Sequence, residues 1–170
     1  MKRSKMAVIG LGNRLLSDEG AGLHAVDLLR DRFESGYRDG STRIHIDLVE
    51  AGTPGMNLLH QFDEREKIIF IDAGNCGLRA GEYRRFIPGE VVSIKKSKGY
   101  SLHEFDLIRF LEFAKRMNMT ENVEIVIYCV QAAELSMSEQ LSPVVEQTLP
   151  GLVRAVFHEV TTGKYGENHA

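Results

Sequence analysis

Residues 6–22, MAVIGLGNRLLSDEGAG, carry the pattern that decides the fold. An apolar run enters Gly10-Leu11-Gly12, and apolar Leu23, Val26, Leu29 and Phe33 then recur at helical spacing. Strand, glycine turn and helix therefore follow one another, the first unit of an alternating α/β chain. Such a turn often cradles a phosphate. This one does not. The G-x-G-x-x-G fingerprint requires glycine where Leu15 stands, and no G-K-[ST] follows. Asp18 and Glu19 occupy the place where phosphate charge would sit. At about 4 Å and an effective dielectric near 20, each like-charge pair would cost roughly 4 kcal/mol. With Ser17 read as N-cap, both carboxylates fall in the first helical turn, where the dipole favours their ionised form. The loop suits a cation or acid–base chemistry, although capping a helix is the commoner use of first-turn acids.

Outward from this loop, the same alternation continues. Lys5–Gly10 reads as the first strand and residues 20–34 as the first helix. Arg43–Val49 reads as a second strand, and Thr53-Pro54 as the cap and first position of a short helix reaching Phe62. KIIFID (67–72) is a continuous apolar strand, as expected when both sheet faces are covered. Residues 82–87 and 91–94 are expected to pair as a hairpin over the sheet. Ser101-Leu102-His103-Glu104 has the form of a capping box, opening a helix to about Met117. VEIVIYCV (123–130) is a further buried strand. Ser142-Pro143 starts a last helix to about Glu159, with Pro150 expected to bend or break it. The pattern predicts a three-layer α/β/α sandwich around a mostly parallel twisted sheet, in one domain over 1–170 with frayed ends at 1–4 and 162–170.

Composition narrows the function. The 170 residues carry a net charge of −3, without the clustered Lys and Arg that phosphate contacts require, so nucleic acid is not an expected partner. Arg84-Arg85 and the Lys95–Lys98 run read as solvated charge. No stretch approaches the ~20 apolar residues of a membrane span, and the apolar run after MKRSK is too short for a signal peptide. Cys76 and Cys129 form no CxxC pair, which argues against a disulfide framework or structural zinc and for a reducing cytoplasm.

In such sheets ligands gather beyond the carboxyl ends of the strands. Three candidates lie there: Glu19, Asp72 at the end of a buried strand, and His103 near a helix start. A carboxylate at Asp72 is costly unless hydrogen-bonded, paired or liganded; closing a turn over Ala73-Gly74-Asn75 is its bland role. A helix N-terminus disfavours imidazolium, so His103 would be neutral and able to ligate; a capping or surface histidine is its alternative. Two carboxylates and one imidazole suit nickel, zinc or a similar divalent ion, with positions left open for catalysis. Asp18 is expected to cap and orient the first loop, and Gly10, Gly12 and Gly20 to admit close passage of the backbone. A Cys76 nucleophile with His103 as base is disfavoured, since nearby carboxylates would raise the thiol pKa. His24 reads as a polar-face residue and Cys129 as packing. H-E-x-x-H and G-x-S-x-G are both missing.

GLGNRLLSDEGAG, VEAGTPG (49–55), FIDAGNCG (70–77), YSLHEFDL (100–107) and QLSPVVEQTLPGLVRAV (140–156) stand in an order and spacing that resembles the hydrogenase maturation proteases. The resemblance runs from about residue 6 to residue 157. It implies an α/β/α fold and removal of a C-terminal extension from the [NiFe] hydrogenase large-subunit precursor after nickel insertion. It also implies metal-binding roles for Glu19, Asp72 and His103. Nickel would lie in the substrate or the site, with another divalent metal such as zinc possible in the free protein. Attack could be assisted by a carboxylate, as in an aspartic-type endopeptidase, or by a metal-bound water. One departure is Val130-Gln131-Ala132-Ala133-Glu134, where the family carries a Gly-Ile-Gln-Pro-like turn. The alternative function is a non-catalytic nickel- or partner-binding module on the same fold.

Overall fold

Five strands form one sheet in the order β2-β1-β3-β5-β4. They are β1 (Met6–Leu11), β2 (Ile46–Gly52), β3 (Lys67–Gly74), β4 (Tyr83–Phe86) and β5 (Glu124–Gln131). The computed structural model describes residues 5–36, 45–90 and 102–163, with residues 36 and 102–106 described in backbone alone. β1 runs parallel to β2 and β3, and β3 parallel to β5; only β4 is antiparallel, on the outer edge beside β5.

Helices cover both faces. Along β3 the side chains alternate, so Ile69 and Ile71 pack under α1 (Ala21–Gly36) and α3 (Pro143–Thr162). Ile68 and Phe70 point the other way, against α2 (Leu102–Arg116) and the short 3-10 helix η2 (Met56–Phe62). This two-sided burial explains the unbroken apolar run of β3, and the expected three-layer sandwich is the observed one. On the α1–α3 seam the Phe33 and Phe157 rings lie 4.8 Å apart, with the Arg32 guanidinium 4.6 Å above Phe157.

Several local expectations need correction. Ser17 does not cap a helix. It opens a 3-10 helix, η1 (Ser17–Gly20), whose cap is Leu16, and it adopts φ 48°. Thr53-Pro54 starts nothing either; η2 begins at Met56 behind an extended Gly55. Residues 82–87 do not fold over the sheet, because β4 joins its edge through β5; Val91–Ile94 lie outside the described residues. α3 does start behind Ser142 with Pro143 at its first position, although the Ser142 hydroxyl caps no helical N–H and donates to Asp18 instead. The helix continues unbroken through Pro150. A single proline removes one helical hydrogen bond, and buried Leu149, Leu152 and Val153 hold the helix across it. α3 ends at a left-handed Gly163 (φ 69°), beyond the expected start of fraying. Among the described residues, no helix is long and apolar enough to cross a membrane.

Candidate functional site

The chain leaves β1 through α1 to reach β2 on one side, then passes through η2 to reach β3 on the other. β1 and β3 are therefore neighbours whose connections depart to opposite faces, the arrangement that opens a crevice at their carboxyl ends. η1 and the start of α1 are pressed onto this point. A β-carbon on Gly22 would lie 2.3 Å from the Ile71 carbonyl oxygen and 2.4 Å from that of Leu11. The first turn of α1 thus sits between the ends of the two strands. Gly12, at φ +121°, leaves no room either: a β-carbon there would come within 1.7 Å of the Glu19 carbonyl oxygen. Glycine at these positions lays the Glu19 segment directly over β1 and beside Ile71-Asp72.

Glu19 is buried, at 6% exposure. Its neighbour Asp18 is fully buried and does not cap its own helix. Its carboxylate accepts the backbone N–H groups of Ala133 (2.8 Å), Glu134 (2.9 Å) and Ser142 (2.7 Å), and the Ser142 hydroxyl (2.9 Å). Asp18 therefore orients the first loop, as expected, by fastening it to the loop between β5 and α3. Further bonds reinforce the seam: Ser17 N–H donates to Ser138 O (2.7 Å), Ser138 N–H to Leu15 O (3.0 Å), and Ser17 Oγ to Gln140 O (3.0 Å). On the other side Arg14 donates to Asp27 Oδ2 (2.7 Å) and Glu50 Oε2 (2.8 Å), tying the loop to α1 and β2. Hydrogen bonding to Glu50, aided by Asp27, holds the Arg14 pKa above its usual value.

Asp72 is half-buried within the last three residues of β3, and its Oδ1 accepts the Ala73 N–H at 2.9 Å. His103 falls in the first turn of α2, and its side chain lies outside the described residues. The described residues alone contain no group of three His, Cys, Asp or Glu arranged for a metal. Of the expected trio, the structure brings the Glu19 and Asp72 segments to adjacent strand ends.

The cysteines differ from expectation. Cys76 and Cys129 are joined as a disulfide, with Cα atoms 6.4 Å apart, inside the range such a bridge requires. Cys129 is the register partner of Asp72 across β3 and β5. Two cysteines 53 residues apart give no sequence sign of pairing; the parallel register that sets Cys129 opposite Asp72, four residues before Cys76, brings them within reach. The bridge removes Cys76 as a free nucleophile.

His24 is half-buried. Burial, and then the adjacent Arg14 cation, lower its pKa, and its Nε2 is buried without a hydrogen-bond partner among the described residues. It faces a cavity of about 850 Å³ between α1, α3 and the 134–141 loop rather than the crevice over Asp72.

The family model described as hydrogenase maturation protease matches residues 24–159. The chain belongs to the hydrogenase maturation protease family. The matched span contains Asp72 and His103 and begins after Glu19. "Hydrogenase expression/formation protein HupM" of Azotobacter chroococcum mcd 1 is 30% identical over 128 residues, covering 75% of this chain and 57% of its own length. A counterpart from Azotobacter vinelandii, "Hydrogenase expression/formation protein HoxM", is 31% identical over 61% of this chain and 47% of its own length, so the chain spans about half the length of the curated relatives it matches. Among solved structures, "[NiFe] hydrogenase maturation protease HybD from Thermococcus kodakarensis" is 26% identical, covers 92% of this chain and 99% of its own, and superposes with a TM-score of 0.73.

The crevice between β1 and β3 follows from the strand order and the opposite departures of their connections. The Asp18 fastening is seen only in the structure, because its partners lie 115 to 124 residues away. Their glutamate, serine and alanine types gave no sign of it in the sequence.

Proposed function

We propose that this protein is an endopeptidase that trims a C-terminal extension from the large-subunit precursor of a [NiFe] hydrogenase once nickel is in place. One observation carries the reading: the glycine-mediated seating of the Glu19 segment at the switch point between β1 and β3, beside Asp72. With His103 from the start of α2, two carboxylates and an imidazole would supply a donor set matched to borderline ions such as nickel. Nickel already held by the precursor would anchor the scissile segment there and withdraw charge from its carbonyl. In this scheme Glu19, Asp72 and His103 orient the precursor, and one carboxylate takes the proton from the attacking water. Burial of Glu19 limits competing solvent, and the Asp18 fastening holds its backbone in place.

Mass spectrometry of a nickel-loaded precursor after incubation with the protein tests the reading. A single loss at the C-terminus is expected, and Glu19→Gln, Asp72→Asn and His103→Ala should each abolish it while circular dichroism stays native. An unchanged precursor mass with wild-type protein that nevertheless binds it would establish the non-catalytic binding module instead.

A further inference from the structure

The cavity on the α1–α3 face has a one-sided chemistry. Asp27, Glu134, Glu139 and Glu146 line it, and among the described residues no lysine or arginine does. The charge of Asp27 is answered by Arg14 and Arg30. Glu139 and Glu146 form no ion pair among the described residues, and the Glu134 carboxylate accepts the Ser136 hydroxyl. His24, with its pKa lowered by burial and Arg14, adds no positive charge near neutrality.

Acceptors dominate the rest of the lining. The hydroxyls of Ser17 and Ser142 already donate to Gln140 O and to Asp18, and that of Ser138 to Gln140 O. Pro150, on the cavity wall, supplies no N–H to the helical carbonyl of Glu146. Apolar surface lies among these acceptors: Leu28, Leu141 and Leu149 line the cavity. The loop forming one wall also exposes Leu135 and Met137, at 52% and 87%. Those side chains do not project from a loose segment. The Asp18 carboxylate and the Leu15–Ser138 and Ser17–Ser138 backbone bonds hold the loop in place. Leu135 and Met137 thereby keep exposed apolar surface on the loop that borders the acidic cavity.

We propose that this cavity docks a basic, leucine-rich segment of the protein substrate, outside the site of cleavage. Lysine or arginine side chains would donate to Glu134, Glu139 and Glu146, and the interleaved apolar side chains would cover Leu28, Leu141 and Leu149. The volume, about 850 Å³, lies within the range of established ligand sites. Ser17 lines the cavity two positions before Glu19, so the cavity and the crevice share η1. The assignment rests on the endopeptidase reading for the identity of the partner, but its chemistry can be measured separately.

The test uses a fluorescein-labelled lysine–leucine decapeptide and a glutamate–leucine peptide of the same pattern, followed by fluorescence anisotropy. Wild-type protein should bind the first and not the second, more weakly as salt rises. The triple variant Glu134→Gln, Glu139→Gln, Glu146→Gln should lose at least tenfold in affinity. Glu34→Gln, Glu112→Gln, Glu121→Gln, which removes equal charge from other exposed positions, should leave binding within twofold. Equal losses in the two triple variants, or no binding by wild type, would overturn the docking assignment. Peptide binding by a protein that leaves the nickel-loaded precursor uncut would instead sink the endopeptidase reading and keep the surface.

Discussion

Two carboxylates show how burial and partners divide roles among like residues. Glu159, 1% exposed, is buried behind β5, where burial alone would raise its pKa. Two Arg85 bonds (2.9 and 3.0 Å), the Lys67 ammonium (2.7 Å) and the Tyr128 hydroxyl (2.7 Å) outweigh that and hold it at about 2. A depressed carboxylate contributes stability above its unfolded pKa and loses it as pH falls through the folded one. The expected window is therefore from about pH 4.5 down to about 2, with about 3 kcal/mol at stake. Urea unfolding across that range should show the decline, and Glu159→Gln should flatten it while lowering stability at neutral pH. Asp18 is the second case. Asp18→Ala would leave three backbone N–H groups and one hydroxyl facing a void, at about 3 kcal/mol or more by chemical denaturation. That Asp18 orients the first loop is legible in the sequence; its distant partners, and the role of Glu159, are not. In the sequence Glu159 marks only the end of the last helix, because its partners come from β3, β4 and β5.

At the scale of elements, the alternating pattern located most strands and helices because each strand is apolar on both faces or alternates cleanly. It erred where local chemistry was overruled by distant contacts. Ser17 resembled an N-cap, yet its hydroxyl goes to Gln140 across 123 residues and its backbone takes a left-handed turn. Pro150 resembled a stop, yet the buried face of α3 carries the helix past it. Gly22 was not singled out at all, although it sets the distance between α1 and β3. Glycine within a helix reads as a weakness, and only the observed approach to Ile71 O shows its use. Gly12→Ala and Gly22→Ala should each push η1 and α1 off the strand ends. Processing of the precursor should fall by at least tenfold in both, with a loss of thermal stability measurable by calorimetry.

Across the whole molecule, the disulfide closes a loop of 53 residues that includes β4 and all of α2. It joins the segment after Asp72 to β5, the neighbour of the central strand β3, on the sheet face away from α1. In the chain-entropy description, cross-linking a loop of that size removes about 4 kcal/mol of freedom from the unfolded state. For a chain of 170 residues, that corresponds to a melting point about 10 °C lower once the bridge is opened. Melting with and without a dithiol should show this difference, and Cys76→Ser with Cys129→Ser should melt like the reduced protein under both conditions. Equal melting points in all four measurements would mean that the bridge constrains nothing the fold does not already fix. If the bridge instead positions Asp72, the double variant should also process the precursor more slowly at temperatures well below its own transition, since a purely entropic brace would leave the folded rate untouched.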